Sequence, residues 1–192
     1  MLLRPLLATL LLASSAPAVS ACVTGNIPNT DVPDTHENRE VVDLSERYRR
    51  AVEQRDVRTL LTLAAPNYFE DGGTPQGDDD YGYDGLRRLL SVWGDEVREI
   101  RYEMRYRRVT FERDGARAMV DYTYTGSFTL RRPPIQNNSN VIVHDSASML
   151  NLDPARGATP VNQDSEVWYR RVADNRLELE KVDGQWRIVA GM

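Results

Sequence analysis

Cysteine occurs once, at Cys22, so no disulfide can form within the chain. The histidines are only His36 and His144, and with a single thiol they cannot make a usual zinc ligand set. Lysine also occurs once, at Lys181, every other basic side chain being arginine. That bias reads as GC-rich coding rather than as anion recognition by guanidinium forks. Positive charge is in deficit, with a formal net charge of −5. Nucleic acid is therefore excluded as the main partner, because phosphate binding needs a basic footprint. There is no internal repeat and no glycine-rich loop of the kind that cradles phosphate. What is present is globular: 41% hydrophobic and 28% charged residues, over a length of 192 that suits one domain with extensions.

The amino terminus carries an apolar segment. Leu6 to Ala18 follows Arg4 and is broken by Ser14, Ser15 and Pro17. It is too short to span a bilayer comfortably and fits a secretory signal. It closes on Val19-Ser20-Ala21-Cys22, which resembles the bacterial lipobox. The resemblance implies removal of residues 1–21 and acylation of the Cys22 sulfur, hence a lipid anchor in the cell envelope. Two or three acyl chains, at ~0.8 kcal/mol per buried methylene, hold a domain on a membrane. Val23 stands where Asp commonly signals inner-membrane retention. In a Gram-negative host this implies the periplasmic face of the outer membrane. Residues 22–38 show no sustained apolar period and contain Gly25, Pro28 and Pro33, so they read as a flexible tether.

A folded domain is expected over 39–192. Leu44, Tyr48, Ala51 and Val52 recur at helical spacing in a helix from about Arg39 to Arg55. Asp56 caps a second helix, Val57 to Ala65, which Pro66 ends. Leu86, Leu89, Leu90, Trp93, Val97 and Ile100 predict a third, with Asp84 at its start. The loop between them holds Asp78-Asp79-Asp80, a solvated acidic stretch without the spacing of a calcium loop.

The period then becomes 2. Tyr102, Met104 and Tyr106 alternate with charged residues, and the phase flips at Arg107-Arg108, which predicts a β-bulge. Asp114-Gly115 is a hairpin turn. Ala118, Val120, Tyr122, Tyr124 and Phe128 share one face of the next strand. Residues 133–165 read as a long loop insertion. Strands follow from about Val167 to Val172, Arg176 to Val182 and Trp186 to Ala190, with Asp174-Asn175 as turn residues. Helices first and a bent antiparallel sheet after make an α+β domain.

The order of elements, with Glu46-Arg-Tyr48, Asp56, Phe69-Glu-Asp71 and Asp183-Gly-Gln-Trp186, resembles the nuclear transport factor 2-like superfamily. That superfamily includes SnoaL-like polyketide cyclases and ketosteroid isomerases. The resemblance implies a cone-shaped, curved antiparallel sheet wrapped around three N-terminal helices, with a pocket at its open end. Tyr68, Trp93, Tyr102, Tyr106, Tyr122, Tyr124 and Trp168 are then the expected ligand-binding wall. By the isomerase comparison the catalytic set is Asp71 as base, with Tyr48 and Asp174 as oxyanion donors; that enzyme is a standard worked case of such tuning.

Three function classes follow. One is a module binding a small, mostly apolar ligand. Another is an isomerase-, cyclase- or dehydratase-type enzyme. The third is an interaction domain, with homodimerisation through the sheet as one form. No metal and no cofactor is called for, and the first and third classes are expected over the second.

Overall fold

The computed structural model describes residues 25–131, 159–163 and 166–192. Cys22, the signal segment and most of the 133–165 insertion, His144 included, lie outside the described residues. Three helices, α1 His36–Gln54, α2 Val57–Leu63 and α3 Tyr83–Glu96, precede the main sheet. Its strands are β3 Val97–Phe111, β4 Arg117–Leu130, β5 Thr159–Gln163, β6 Glu166–Val182 and β7 Gln185–Ala190. They run in the order β3-β4-β6-β5, with β7 also on β6, and every pairing is antiparallel. Two short strands, β1 Phe69–Glu70 and β2 Tyr81–Gly82, pair between α2 and α3. The helices pack on the inner face of this curved sheet, which gives the expected α+β cone.

Each helix starts and stops for a local reason. The Thr35 hydroxyl accepts the Asn38 N–H at the head of α1. Arg55 ends it in the left-handed region at φ 55° and donates to the Val97 carbonyl. Asp56 caps α2, accepting both the N–H and the hydroxyl of Thr59. The helix stops at Leu63, because Ala64 turns extended and Ala65 donates to the Ile188 carbonyl.

α3 departs from expectation at both ends. Gly82, not Asp84, is its cap residue, and Asp84 sits in the first turn paired with Arg87. The helix ends at Glu96, so Val97 and Ile100 belong to β3 although both are buried. Their helix-like spacing survives in a strand because the register shifts between Val97 and Glu99, which returns residue 100 to the inner face. A second shift lies between Tyr106 and Arg108, as the phase flip predicts.

Two other expectations change. β6 runs unbroken through 173–175, where a turn was expected. Asp174 and Asn175 are held by cross-strand partners there: the Thr123 hydroxyl donates to Asp174, and the Asn175 amide donates to the Tyr122 hydroxyl. The stretch 25–38, expected as tether, is folded onto the domain. Asn26 bridges Pro33, Ile27 N–H donates to the Val32 carbonyl, and Asp31 N–H donates to the Tyr106 carbonyl at the free edge of β3. Val32 is fully buried and Ile27 nearly so. These two apolar side chains are the signal that the prolines concealed. Finally, residues 159–163 of the expected insertion form β5, an edge strand on β6.

Candidate functional site

The inner face of β3 and β4 carries Tyr102, Tyr106, Tyr122 and Tyr124, each at most 2% exposed, and α1 lays Tyr48 against them. Strand alternation puts the four on one face, and the bulge after Tyr106 keeps Val109 in phase with them. The rings of Tyr102 and Tyr124 lie 5.4 Å apart, and those of Tyr122 and Tyr124 6.4 Å. The Tyr48, Tyr102 and Tyr122 hydroxyls lie close enough to influence one another's ionisation. From β6, Asn175 donates to Tyr122 at 3.2 Å. At the rim Tyr106 donates to Glu46 at 2.8 Å, and Arg49 holds the same carboxylate.

Burial pushes the phenols of Tyr48, Tyr102, Tyr106 and Tyr122 well above their usual range. Tyr124 is raised by burial too, against the opposing pull of the Arg171 guanidinium that bonds it. These groups stay protonated at neutral pH. They can donate and accept hydrogen bonds, but none is a ready base.

A second array lies beside α3. Tyr68 stacks on Tyr81 and donates to Glu70 at 2.6 Å. The same Glu70 oxygen accepts the Gly191 N–H at 2.7 Å, and the Met192 N–H donates to the Tyr68 hydroxyl. The C-terminal residues are thereby pinned into the interior, with Met192 buried. Gly191 is required here, since a Cβ would meet the Arg176 carbonyl at 1.9 Å and φ is +87°. Trp93 is fully buried, and its indole N–H has no hydrogen-bond partner among the described residues.

Of the expected wall, Tyr68, Trp93, Tyr102, Tyr106, Tyr122 and Tyr124 are buried in one core cluster. Trp168 is not among them. Tyr169 pairs with Phe128 on the inner face, so Trp168 lies on the opposite face, under the Arg101 guanidinium at 5.0 Å.

The expected catalytic set is not brought together. Tyr48 is in the interior, whereas Asp71 is exposed in the β1–β2 loop, accepting the Gly73 N–H. Asp174 is exposed on the outer sheet face with Thr123. The carboxylate of that motif that turns toward a tyrosine is Glu70, one residue earlier. Glu70, Asn175 and Arg171 were missed by sequence reasoning. A period-2 reading of 169–179 in phase with Leu177 and Leu179 would have placed Arg171 and Asn175 inside.

Two concavities open on the surface. One of about 630 Å³ lies between α2 and the β6–β7 turn, lined by Leu61, Pro66, Tyr83 and Val182 among others. The other, of about 830 Å³, lies at the β3 bulge and is lined by Arg107, Arg108, Asp121, Thr123, Asp174 and Arg176, with Tyr122 and Asn175. Among the described residues no group of His, Cys, Asp and Glu could hold a metal ion. Nor is any described helix long and apolar enough to cross a membrane.

No family profile and no curated relative matches the chain. Solved structures do match its fold. A nuclear transport factor 2-like superfamily protein from Salmonella enterica aligns at TM-score 0.54 and 12% identity, over 81% of this chain and 87% of that one. A conserved protein from Planctomyces limnophilus gives 0.53 and 10%, over 81% and 92%. A type 2 hexachlorocyclohexane dehydrochlorinase gives 0.52 and 13%, over 80% and 81%. Likeness at such identities carries the fold alone, and this fold hosts enzymes and non-enzymes alike.

Proposed function

We propose that the chain is an acylated envelope lipoprotein whose cone binds a small, mostly apolar ligand and performs no chemistry on it. The observation that carries the binding reading is the Trp93 indole N–H, fully buried and without a hydrogen-bond partner among the described residues. An orphaned buried donor costs about 1–3 kcal/mol and calls for an acceptor. A ligand with one carbonyl or hydroxyl oxygen on an apolar body meets that need and suits an aromatic wall.

The case against catalysis is the scatter of the acids. A general base must reach the reacting proton, and Asp71 and Asp174 point to solvent. Among the described residues the two carboxylates that accept from tyrosines are engaged: Glu46 by Tyr106 and Arg49, Glu70 by Tyr68 and Gly191.

The test is native mass spectrometry of the domain purified without detergent. An apolar molecule is expected to co-purify, and Trp93→Phe should weaken its retention by about fivefold, the equivalent of ~1 kcal/mol. A domain that retains nothing when drawn from the envelope or supplied with envelope lipids and metabolites would count against binding. Anchoring at Cys22 rests on the lipobox resemblance and on the absence of any other cysteine. Cys22→Ala is expected to move the protein from the membrane to the soluble fraction. Its persistence in the membrane fraction would argue against acylation.

A further inference from the structure

We infer that the free edge of β3 at its bulge, with the strap of residues 25–35 that covers it, is the face that lies against the bilayer. The inference rests on acylation of Cys22 as proposed above. A tether of 22–38 would let the domain adopt any orientation. The structure removes that freedom, because the folded body already begins at Gly25, whose carbonyl accepts the Asp34 N–H at 2.9 Å. Only Val23 and Thr24 separate it from the acylated residue. At ~3.3–3.6 Å per residue, the chain from Cys22 to Gly25 reaches about 10 Å when fully extended. A domain of this length is roughly 30–40 Å across. Its opposite side therefore cannot turn to the headgroups.

The surface beside the strap has the chemistry for that position. Asp31 of the strap is clamped by Arg105 at 2.9 Å and Arg107 at 3.0 Å. On the adjoining outer face Asp121 is held by Arg108 and Arg176. The four arginine side chains remain 44–69% exposed. Two aspartates, Asp31 and Asp121, serve these four arginines, and Asp174 joins Asp121 at the concavity. Each guanidinium has five N–H donors, and these pairs use only some of them. Arg107 also donates its Nε–H to the Thr123 hydroxyl, and the remaining exposed donors can meet phosphate oxygens, for which arginine is well shaped. The partner that fits is a phospholipid headgroup layer.

The test uses the full-length acylated protein in vesicles of phosphatidylethanolamine and phosphatidylglycerol containing a headgroup-spin-labelled lipid. Acylation blocks the native thiol, so Asn29→Cys and Glu99→Cys can each carry one fluorophore. Both sites are exposed, and Glu99 lies seven residues along β3 from Tyr106, about 23 Å away. The Asn29 probe should be quenched at least threefold more than the Glu99 probe. Equal quenching, or stronger quenching at Glu99, with Cys22 shown to be acylated by mass spectrometry, would overturn this inference alone. An unmodified Cys22 would overturn the anchoring reading and this inference with it.

Discussion

The buried tyrosines decide how this protein meets alkali. Their folded pKa values lie above the ordinary value near 10, that of Tyr81 at about 12 and those of Tyr48, Tyr68, Tyr102 and Tyr106 raised as well, all through burial first. Above pH ~10 the unfolded chain releases phenolic protons that the folded chain retains. Their contribution to stability is therefore complete below pH ~10 and lost as pH rises toward the folded values. Phenolate absorbance from these residues should emerge together with loss of circular dichroism, in one cooperative step. A gradual rise of phenolate signal while the fold persists would show that the interior admits water and hydroxide. The same property removes tyrosine as a base at neutral pH.

At the scale of elements, short-range chemistry sets the boundaries and long-range pairing sets the exceptions. α2 is only one of seven residues, too short to persist alone, so its cap counts. Asp56→Ala removes acceptors from the Thr59 N–H and hydroxyl and is expected to destabilise the domain by about 1 kcal/mol in denaturant unfolding. The Asp56 carboxyl is held below its usual value, chiefly by the Thr59 hydroxyl. This contribution is present above the unfolded carboxylate pKa and fades as pH falls through the lower folded one, so wild type and variant should converge in acid. α3 and β6 show the opposite case. α3 loses its expected last turn because β3 offers Val97 and Ile100 a place in the sheet. β6 absorbs Asp174-Asn175, a turn-like pair, because β4 supplies partners for both side chains.

For the molecule as a whole, the strap makes the minimal domain longer than its apolar periods suggest. A chain starting at residue 39 lacks Ile27, Val32, the Thr35 cap and the first residues of α1. Burial of two aliphatic side chains is worth roughly 3–5 kcal/mol, so the chain 39–192 should melt roughly 5–15 °C below the chain 25–192. Equal melting temperatures would show that the strap merely lies on the surface. On the proposal that Cys22 is acylated, only two residues rather than seventeen would separate the lipid from the folded body, which would seat the domain at the membrane surface.

What the residues determined unaided was local and periodic: three helices, a bulge at Arg107-Arg108, the Asp114-Gly115 hairpin turn and a tyrosine face on β4. Each follows from spacing within a dozen residues, where sterics and side-chain alternation act without help from the rest of the chain. The nuclear transport factor 2-like arrangement was legible for the same reason, being an order of such elements. Tertiary structure decided that Glu70 rather than Asp71 meets a tyrosine and where residues 25–35 are held down, and it settled the faces of Asp174 and Trp168, which the alternation of 169–179 only hinted at. Those outcomes depend on strand register and on contacts between segments up to 124 residues apart. A one-residue change of register exchanges inside for outside; the alternation around Leu177 and Leu179 carries that choice for β6, whereas β1 at Glu70 takes it only from its contacts.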